Sequence, residues 1–90
     1  MSLVLSREII TGQNALSTTS EVAVAARPGR RRVIIKNIDS SITIYLAHTT
    51  ATNANSMVLL AGESIALETE DAVHGLAASG TPSIAYVEEF

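Results

Sequence analysis

The sequence predicts a small all-β protein: an antiparallel β-sandwich of about seven short strands with an N-terminal arm. A jelly roll is one arrangement that this pattern allows. Three observations predict this class. Segments of alternating apolar and polar residues recur at a spacing of roughly 8–12 residues. Clusters of Gly, Pro, Asp and Ser separate these segments. No segment sustains a helical period long enough to indicate a helix.

The N-terminal 20 residues differ in composition from the rest of the chain. An apolar start leads into Gly12, Gln13 and Asn14 and then a Ser/Thr run, which is typical of a loop or linker. We therefore divide the chain into an N-terminal arm or edge segment, residues 1–20, and a β-sandwich domain, residues 21–90. We expect the arm to lie on a neighbouring protein surface. Its predicted anchors are Leu3, Val4, Leu5, Ile9 and Ile10.

Three strands are predicted in the first half of the sandwich, over residues 22–26, 31–38 and 42–47. A Pro-Gly turn separates the first two, and an Asp-Ser-Ser turn separates the second from the third. Val33 and Ile35 share one face of the second strand. In the third strand Ile44 and Leu46 alternate with Tyr45, which makes it the clearest half-buried strand in the chain.

The second half begins with a polar segment, residues 48–56, which we interpret as a long exposed loop. Four further strands are predicted over residues 57–60, 64–69, 73–78 and 84–88. Ile65 and Leu67 are expected to point inward. The strand that contains Gly75 is the weakest, because a glycine inside a strand lowers its stability.

Size and composition limit how such a domain can be stabilised. Ninety residues form one thin core, and domains this small usually depend on disulfides, a metal or oligomerisation. There is no cysteine, and two histidines are too few for a structural zinc site. We therefore expect a homo-oligomer or docking onto a larger body. We expect neither a secretory signal nor a membrane span, because the first residues lack a basic start and no apolar run approaches membrane-spanning length.

Charge is divided unevenly along the chain. Residues 1–36 hold all six cations and two acids, a balance of +4, whereas residues 37–90 hold seven acids and no cation. One interpretation is a basic-to-acidic contact between subunits or with a partner, because complementary charge steers association. The other is that strands from the two halves pair and neutralise each other locally. The predicted basic contact residues are Arg27, Arg30, Arg31 and Arg32.

Candidate catalytic and ligand-binding residues are few. His48 and His74 lack a recognisable nucleophile or acid partner in the sequence, so we expect no enzymatic activity and assign no catalytic residue. The spacing of the acids at 68–71 matches no metal-binding loop, and we expect neither a metal nor a cofactor. Three aromatic residues in an acidic chain argue against nucleic-acid binding. A carbohydrate-binding module is a lesser alternative, with Tyr45 and Tyr86 as its sugar-stacking candidates.

Several motifs resemble those of small β-sandwich virion proteins of tailed bacteriophages. They are RRRVIIKNIDSSITIYL at residues 30–46, LAGESIAL at 60–67 and AASGTPSIAYVEE at 77–89. The resemblance covers roughly residues 22–89 and consists mainly of core and turn positions. The sequence departs from the pattern at Val73–Leu76, where a more apolar strand is expected.

The resemblance implies a structural virion protein that decorates and stabilises a capsid, as head decoration (cement) proteins do. Its expected partners are the major capsid protein and itself, with a trimer favoured over a dimer, and neither nucleic acid nor a membrane. The expected location is the capsid surface after synthesis in the host cytoplasm. An alternative within the same class is a tail, collar or head-fibre accessory component.

Overall fold

The computed structural model of the chain describes residues 8–52 and 54–90, which form two four-stranded antiparallel sheets. The strands are β1 (Ile9–Ala15), β2 (Glu21–Val24), β3 (Arg32–Asn37), β4 (Ile44–Ala47), β5 (Met57–Leu59), β6 (Ser64–Leu67), β7 (Val73–Ala77) and β8 (Ser83–Glu89). The first sheet has the order β1-β8-β3-β6 and the second β2-β7-β4-β5. The nested pairs 1–8, 2–7, 3–6 and 4–5 are the arrangement of a jelly roll. The predicted antiparallel β-sandwich is confirmed, with one strand more than the expected seven.

The additional strand, β1, lies in the segment that the sequence analysis set apart as an arm or edge segment. β1 pairs with β8 along its whole length, from Ile9 opposite Glu89 to Ala15 opposite Ser83. Leu16, which follows it, is 1% exposed and belongs to the core. The sheet therefore extends into residues 1–20, and a boundary at residue 21 would cut through the sandwich. Leu3, Val4 and Leu5 lie outside the described residues.

The core lies between the two sheets and is built by the alternation that the sequence predicted. Val33 and Ile35 of β3 face Ile44 and Leu46 of β4, and all four are at most 3% exposed. The remaining buried core side chains come from the other strands and from Leu16. They are Leu16, Ala23, Val24, Leu59, Val73 and Ile84.

Gly75 of β7 makes room for Leu16. A Cβ at position 75 would lie 2.9 Å from Leu16 Cδ1 and 3.1 Å from Ala23 Cβ. The departure from the family pattern at Val73–Leu76 therefore leaves a strand in place. Leu16, from the β1–β2 connection, fills the space that a side chain at position 75 would occupy.

Asn37, at the end of β3, links the first sheet to the second by hydrogen bonds. Its side chain is buried, and Nδ2 donates hydrogen bonds to Ile42 O at 2.8 Å and Leu59 O at 3.0 Å. Its Oδ1 accepts a hydrogen bond from the Asp39 N–H. A polar residue thus occupies a core position because it satisfies backbone groups from both β5 and the β3–β4 turn.

No helix in the described part of the chain is long and apolar enough to cross a membrane.

Candidate binding surfaces

The basic cluster predicted from the sequence folds largely onto the protein itself. Arg30 is 2% exposed, and its Nη1 lies 2.8 Å from Oε2 of Glu88, a fully buried carboxylate of β8. Arg27, which is partly exposed, places Nε 3.0 Å from Oε1 of the same carboxylate. The Arg30 guanidinium is therefore enclosed by its own domain and leaves little surface for the contact predicted for it.

Arg30 also fixes a loop between β6 and β7. Its Nε donates to Thr69 O at 2.8 Å and its Nη2 to Asp71 O at 2.7 Å. A further hydrogen bond joins Nη1 to Ala25 O at 2.9 Å. The planar guanidinium, with five donors in a fixed geometry, can bind several carbonyls in this way. Arg30 is thus a structural residue that holds residues 69–71 in position.

The two remaining arginines of the cluster are exposed. Arg32 pairs with Glu89 of the neighbouring strand, with Nη2 and Oε1 2.6 Å apart. The hydrogen bond from Arg32 lowers the pKa of the Glu89 carboxyl, and Glu89 in turn raises the pKa of Arg32. Arg31 borders the same group together with Glu68. Arg27, Arg30 and Arg32 each pair with an acid of β8 within the fold. The partner contacts predicted for Arg27, Arg31 and Arg32 stay predictions.

An apolar cleft of about 320 Å³ opens between the two sheets beside the free edges, β5 and β6. Its walls are mainly aliphatic: Leu46, Met57, Ile65, Leu67 and Val73. His48, Glu68 and Thr69 provide its polar rim. We call this feature the inter-sheet cleft. The loop that Arg30 fixes forms part of its border, so the predicted basic cluster contributes to the cleft indirectly.

The outward side of the second sheet carries a different kind of surface, made of Val22, Tyr45, Val58, His74 and Leu76. Val22 lies opposite His74, and Tyr45 lies between Leu76 and Val58. Val22 and Val58 are 49% and 47% exposed. We call these five side chains the outer face. In the described strands of this sheet no Lys, Arg, Asp or Glu points to that side, whereas the first sheet shows Arg32, Lys36 and Glu89 outward.

The histidines and tyrosines have separate positions. His48 and Asp71 are both exposed, with Nδ1 and Oδ2 3.9 Å apart, and His74 lies on the outer face. Across residues 8–52 and 54–90 no three His, Cys, Asp or Glu side chains meet as metal ligands. Tyr45 is half-buried on the outer face, whereas Tyr86 points inward and packs on the core above Gly12. Tyr86 is therefore not an open sugar-stacking platform.

The predicted arm residues Ile9 and Ile10 lie side by side on β1 but face opposite ways. Ile9 is 61% exposed on the sheet edge, and Ile10 is half-buried. The inter-sheet cleft and the outer face were not predicted as sites from the sequence. Period-two alternation assigned their residues correctly to inward and outward positions. However, it carries no information on which inward residues remain incompletely covered.

Comparison with known proteins gives structural likeness only. No protein-family model matches the sequence, and no curated protein matches it. The stem and receptor-binding domain of the spike protein P1 from bacteriophage PM2 has a TM-score of 0.68 at 18% identity, over 89% of this chain and 32% of that one. A cupin-2 domain protein from Shewanella frigidimarina has a TM-score of 0.62 at 12% identity, over 93% and 72%. The disulfide-linked pili of Bacillus endospore appendages have a TM-score of 0.50 at 17% sequence identity, over 100% of this chain and 96% of that one.

These identities establish a shared β-sandwich fold and no more. The chain spans about a third of the PM2 spike structure that it matches. The same fold occurs in a phage spike, a spore appendage and a cupin, so fold alone does not determine function. A virion or surface-structural role therefore has to be argued from this chain's own surfaces.

Proposed function

We propose that this chain is a structural, non-enzymatic docking module of a bacteriophage virion that decorates the capsid by binding the major capsid protein. The observation that carries the proposal is the outer face. It is a flat, uncharged sheet surface with two valines about half exposed. Exposed apolar area of this kind marks surfaces that bind other proteins.

The outer face suits a flat protein partner better than a small ligand. A shallow depression beside Tyr45 and Leu76 is bordered by the hydroxyl-bearing loops 18–20 and 50–52. Small Ser and Thr side chains add hydrogen bonds around an apolar centre, which is the usual anatomy of a protein interface. A module present in many copies needs only modest affinity at each contact, because linked contacts raise the effective concentration of the others.

The test is cosedimentation of the purified protein with undecorated heads. Val58→Lys places a charge on the β5 side of the outer face, and we expect it to lower head occupancy at least tenfold. Ile38→Lys is the matched control, because Ile38 is 40% exposed and follows β3 of the other sheet. The proposal is contradicted if Val58→Lys leaves head occupancy unchanged, or if both variants reduce head occupancy equally.

The N-terminal segment supplies a second test, and the fold determines how to design it. Deleting residues 2–12 removes the first four residues of β1, so any loss of binding would be mixed with a loss of stability. Deleting residues 2–7 removes Leu3, Val4 and Leu5 and leaves β1 intact. We expect this shorter deletion to weaken capsid binding with no change in unfolding temperature. Normal occupancy after the deletion rules out an anchoring role.

A second candidate function is a spike, tail or head-fibre accessory role, which the likeness to the PM2 spike protein favours. Immunogold labelling of intact virions distinguishes the two. Label distributed over the head surface supports decoration, and label confined to vertices or the tail supports the accessory role. The mass of the protein in solution tests the predicted trimer, since the monomer is 9.5 kDa.

A further inference from the structure

The first sheet ends at β1 in a long, uncharged edge. β1 spans Ile9–Ala15 and is the outermost strand, beside β8. Its seven residues include neither a charged residue nor a proline, and its register with β8 runs from end to end without a shift. Proteins usually protect long edge strands with charges, prolines or bulges, because the unpaired N–H and C=O groups of an edge can pair with another chain. β1 carries none of these protections.

In the part of the chain that the structure describes, three further strands lie at sheet edges, and each is less open than β1. β5 has only three residues. β6 has four residues and is flanked by Glu63 and Glu68. β2 has four residues, begins with Glu21, and shifts its register between Val22 and Val24. β1 is therefore the edge best suited to the addition of another strand.

Hydrogen bonds at the two ends of β1 show which backbone groups face the open edge. The Phe90 N–H donates to Glu8 O at 3.1 Å, and the Leu16 N–H donates to Pro82 O at 2.8 Å. In an antiparallel ladder, the even-numbered residues between positions 8 and 16 therefore also direct their backbone groups to β8. The odd-numbered residues direct theirs to the open side, and their side chains are exposed on the outward side of the sheet. They are Ile9, Thr11, Gln13 and Ala15.

We propose that β1 pairs antiparallel with β1 of a second copy, so that the two first sheets become one continuous sheet across a two-fold axis at Gly12. This register places Ile9 opposite the partner's Ala15, and Thr11 opposite the partner's Gln13. The backbone groups of the odd-numbered residues then all find partners, in about eight hydrogen bonds. The contact is self-complementary, as a two-fold interface requires.

A second copy fits this edge because nothing in β1 opposes its own image. No charged side chain of the strand is brought against another, and Gly12 meets the partner's Gly12 without side chains. Ile9, which is 61% exposed, gains cover from the partner's Ala15. The net charge of −3 on each chain gives a repulsion that salt screens. The β1 edge is separate from the outer face, so this inference goes beyond the proposed function, and either can fail without the other.

Sedimentation equilibrium of the full chain tests the assembly, at protein concentrations from micromolar to millimolar. We expect the mass to rise from the 9.5 kDa of the monomer to twice that value and no further. Added salt should leave the dimer intact or strengthen it, whereas a basic-to-acidic contact would weaken. A monomer at every concentration, a trimer, or dissociation by salt overturns the proposal.

Hydrogen exchange of the unmodified chain locates the contact. The amides of Ile10 and Gly12 face β8 and should exchange slowly at every protein concentration. The amides of Thr11 and Gln13 face the open edge, so we expect them to exchange at least tenfold more slowly in the dimer than in the monomer. Equal exchange of these two amides in both states overturns the proposal.

Two matched double variants test the register. Thr11→Lys with Gln13→Lys places like charges directly opposite each other, with Cβ atoms about 5 Å apart, and should weaken the dimer at least tenfold. Thr11→Lys with Gln13→Glu places opposite charges there and should retain the dimer. Both positions are exposed, so the far-UV circular dichroism should match wild type. Val58→Lys, on the outer face, should also retain the dimer. Equal dissociation by the two double variants, or dissociation by Val58→Lys, refutes the contact.

Discussion

The buried pair between Arg30 and Glu88 provides the sharpest test of how this small core is stabilised. Both side chains are fully buried, with Nη1 and Oε2 2.8 Å apart. Glu88→Gln keeps the shape of the side chain and removes its charge. The variant leaves the Arg30 guanidinium in the core with carbonyl partners and no buried counter-charge. Breaking a buried ion pair by removing one partner costs about 3–5 kcal/mol of unfolding free energy.

The expected loss lies at the lower end of that range, about 3 kcal/mol. Three backbone carbonyls continue to accept hydrogen bonds from Arg30 after the change, namely those of Ala25, Thr69 and Asp71. A domain of this size has a total stability of roughly 5–13 kcal/mol. The substitution therefore removes a large share of it. The unfolding temperature should fall by roughly 12–24 °C.

Urea unfolding followed by far-UV circular dichroism measures this difference, with the wild-type chain and Arg27→Met in parallel. Arg27 binds the same carboxylate, but its side chain is 43% exposed. In the control Glu88 keeps its buried partner Arg30, and the half-exposed Arg27 contributes about 0–1 kcal/mol as an ion-pair partner, so the control should stay close to wild type. The reasoning is refuted if Glu88→Gln lies within about 0.5 kcal/mol of wild type, or if Arg27→Met is equally destabilising.

Three further predictions concern positions elsewhere in the sandwich. Asn37→Ala leaves two backbone carbonyls without their donor, so we expect a loss of about 2–4 kcal/mol in urea unfolding, and wild-type stability would contradict this. Gly75→Ala should cost about 1–3 kcal/mol through overlap with Leu16, and combining it with Leu16→Val should recover part of that loss in the same assay. The Ser41 and Ile42 N–H groups lower the pKa of Asp39, and Arg32 lowers that of Glu89. Both carboxylates therefore stabilise the fold above their unfolded pKa of about 4 and lose that contribution as pH falls through the lower folded values. Asp39→Asn with Glu89→Gln should give a flatter decline in urea midpoint below about pH 4, and an unchanged acid limb contradicts the assignment.

The strands with regular alternation were predictable from the sequence. Residues 42–47 illustrate this, because Ile44 and Leu46 point inward and Tyr45 outward as the period of two requires. The nested pairing was not predictable, because alternation fixes the face of a residue and not the partner of its strand. The N-terminal segment was predicted as an arm or edge segment, and the extent of the edge strand β1 could not be predicted because Gly12, Gln13 and Asn14 interrupt its apolar pattern. Their backbone pairing with β8 compensates for this interruption.

Arg30 shows why a charged motif is difficult to interpret from sequence. Three consecutive arginines look alike in the chain, yet Arg30 is buried while Arg31 and Arg32 are exposed. What separates them is an acid 58 residues away, Glu88, which points inward from β8. Its position is set by tertiary structure alone. The inter-sheet cleft was hidden for a related reason, since Ile65 and Leu67 carry the same pattern as fully buried residues.

The charge asymmetry of the chain acquires a structural meaning from the jelly-roll pairing. β3 pairs with β8, so the arginines at and before the start of β3 lie beside Glu88 and Glu89 at the end of β8. Arg27, Arg30 and Arg32 each meet an acid of β8. Charge that is neutralised inside the fold contributes little to attraction between molecules. Association through the uncharged outer face should therefore depend weakly on ionic strength, and the apolar contacts of Val22 and Val58 would supply most of its affinity.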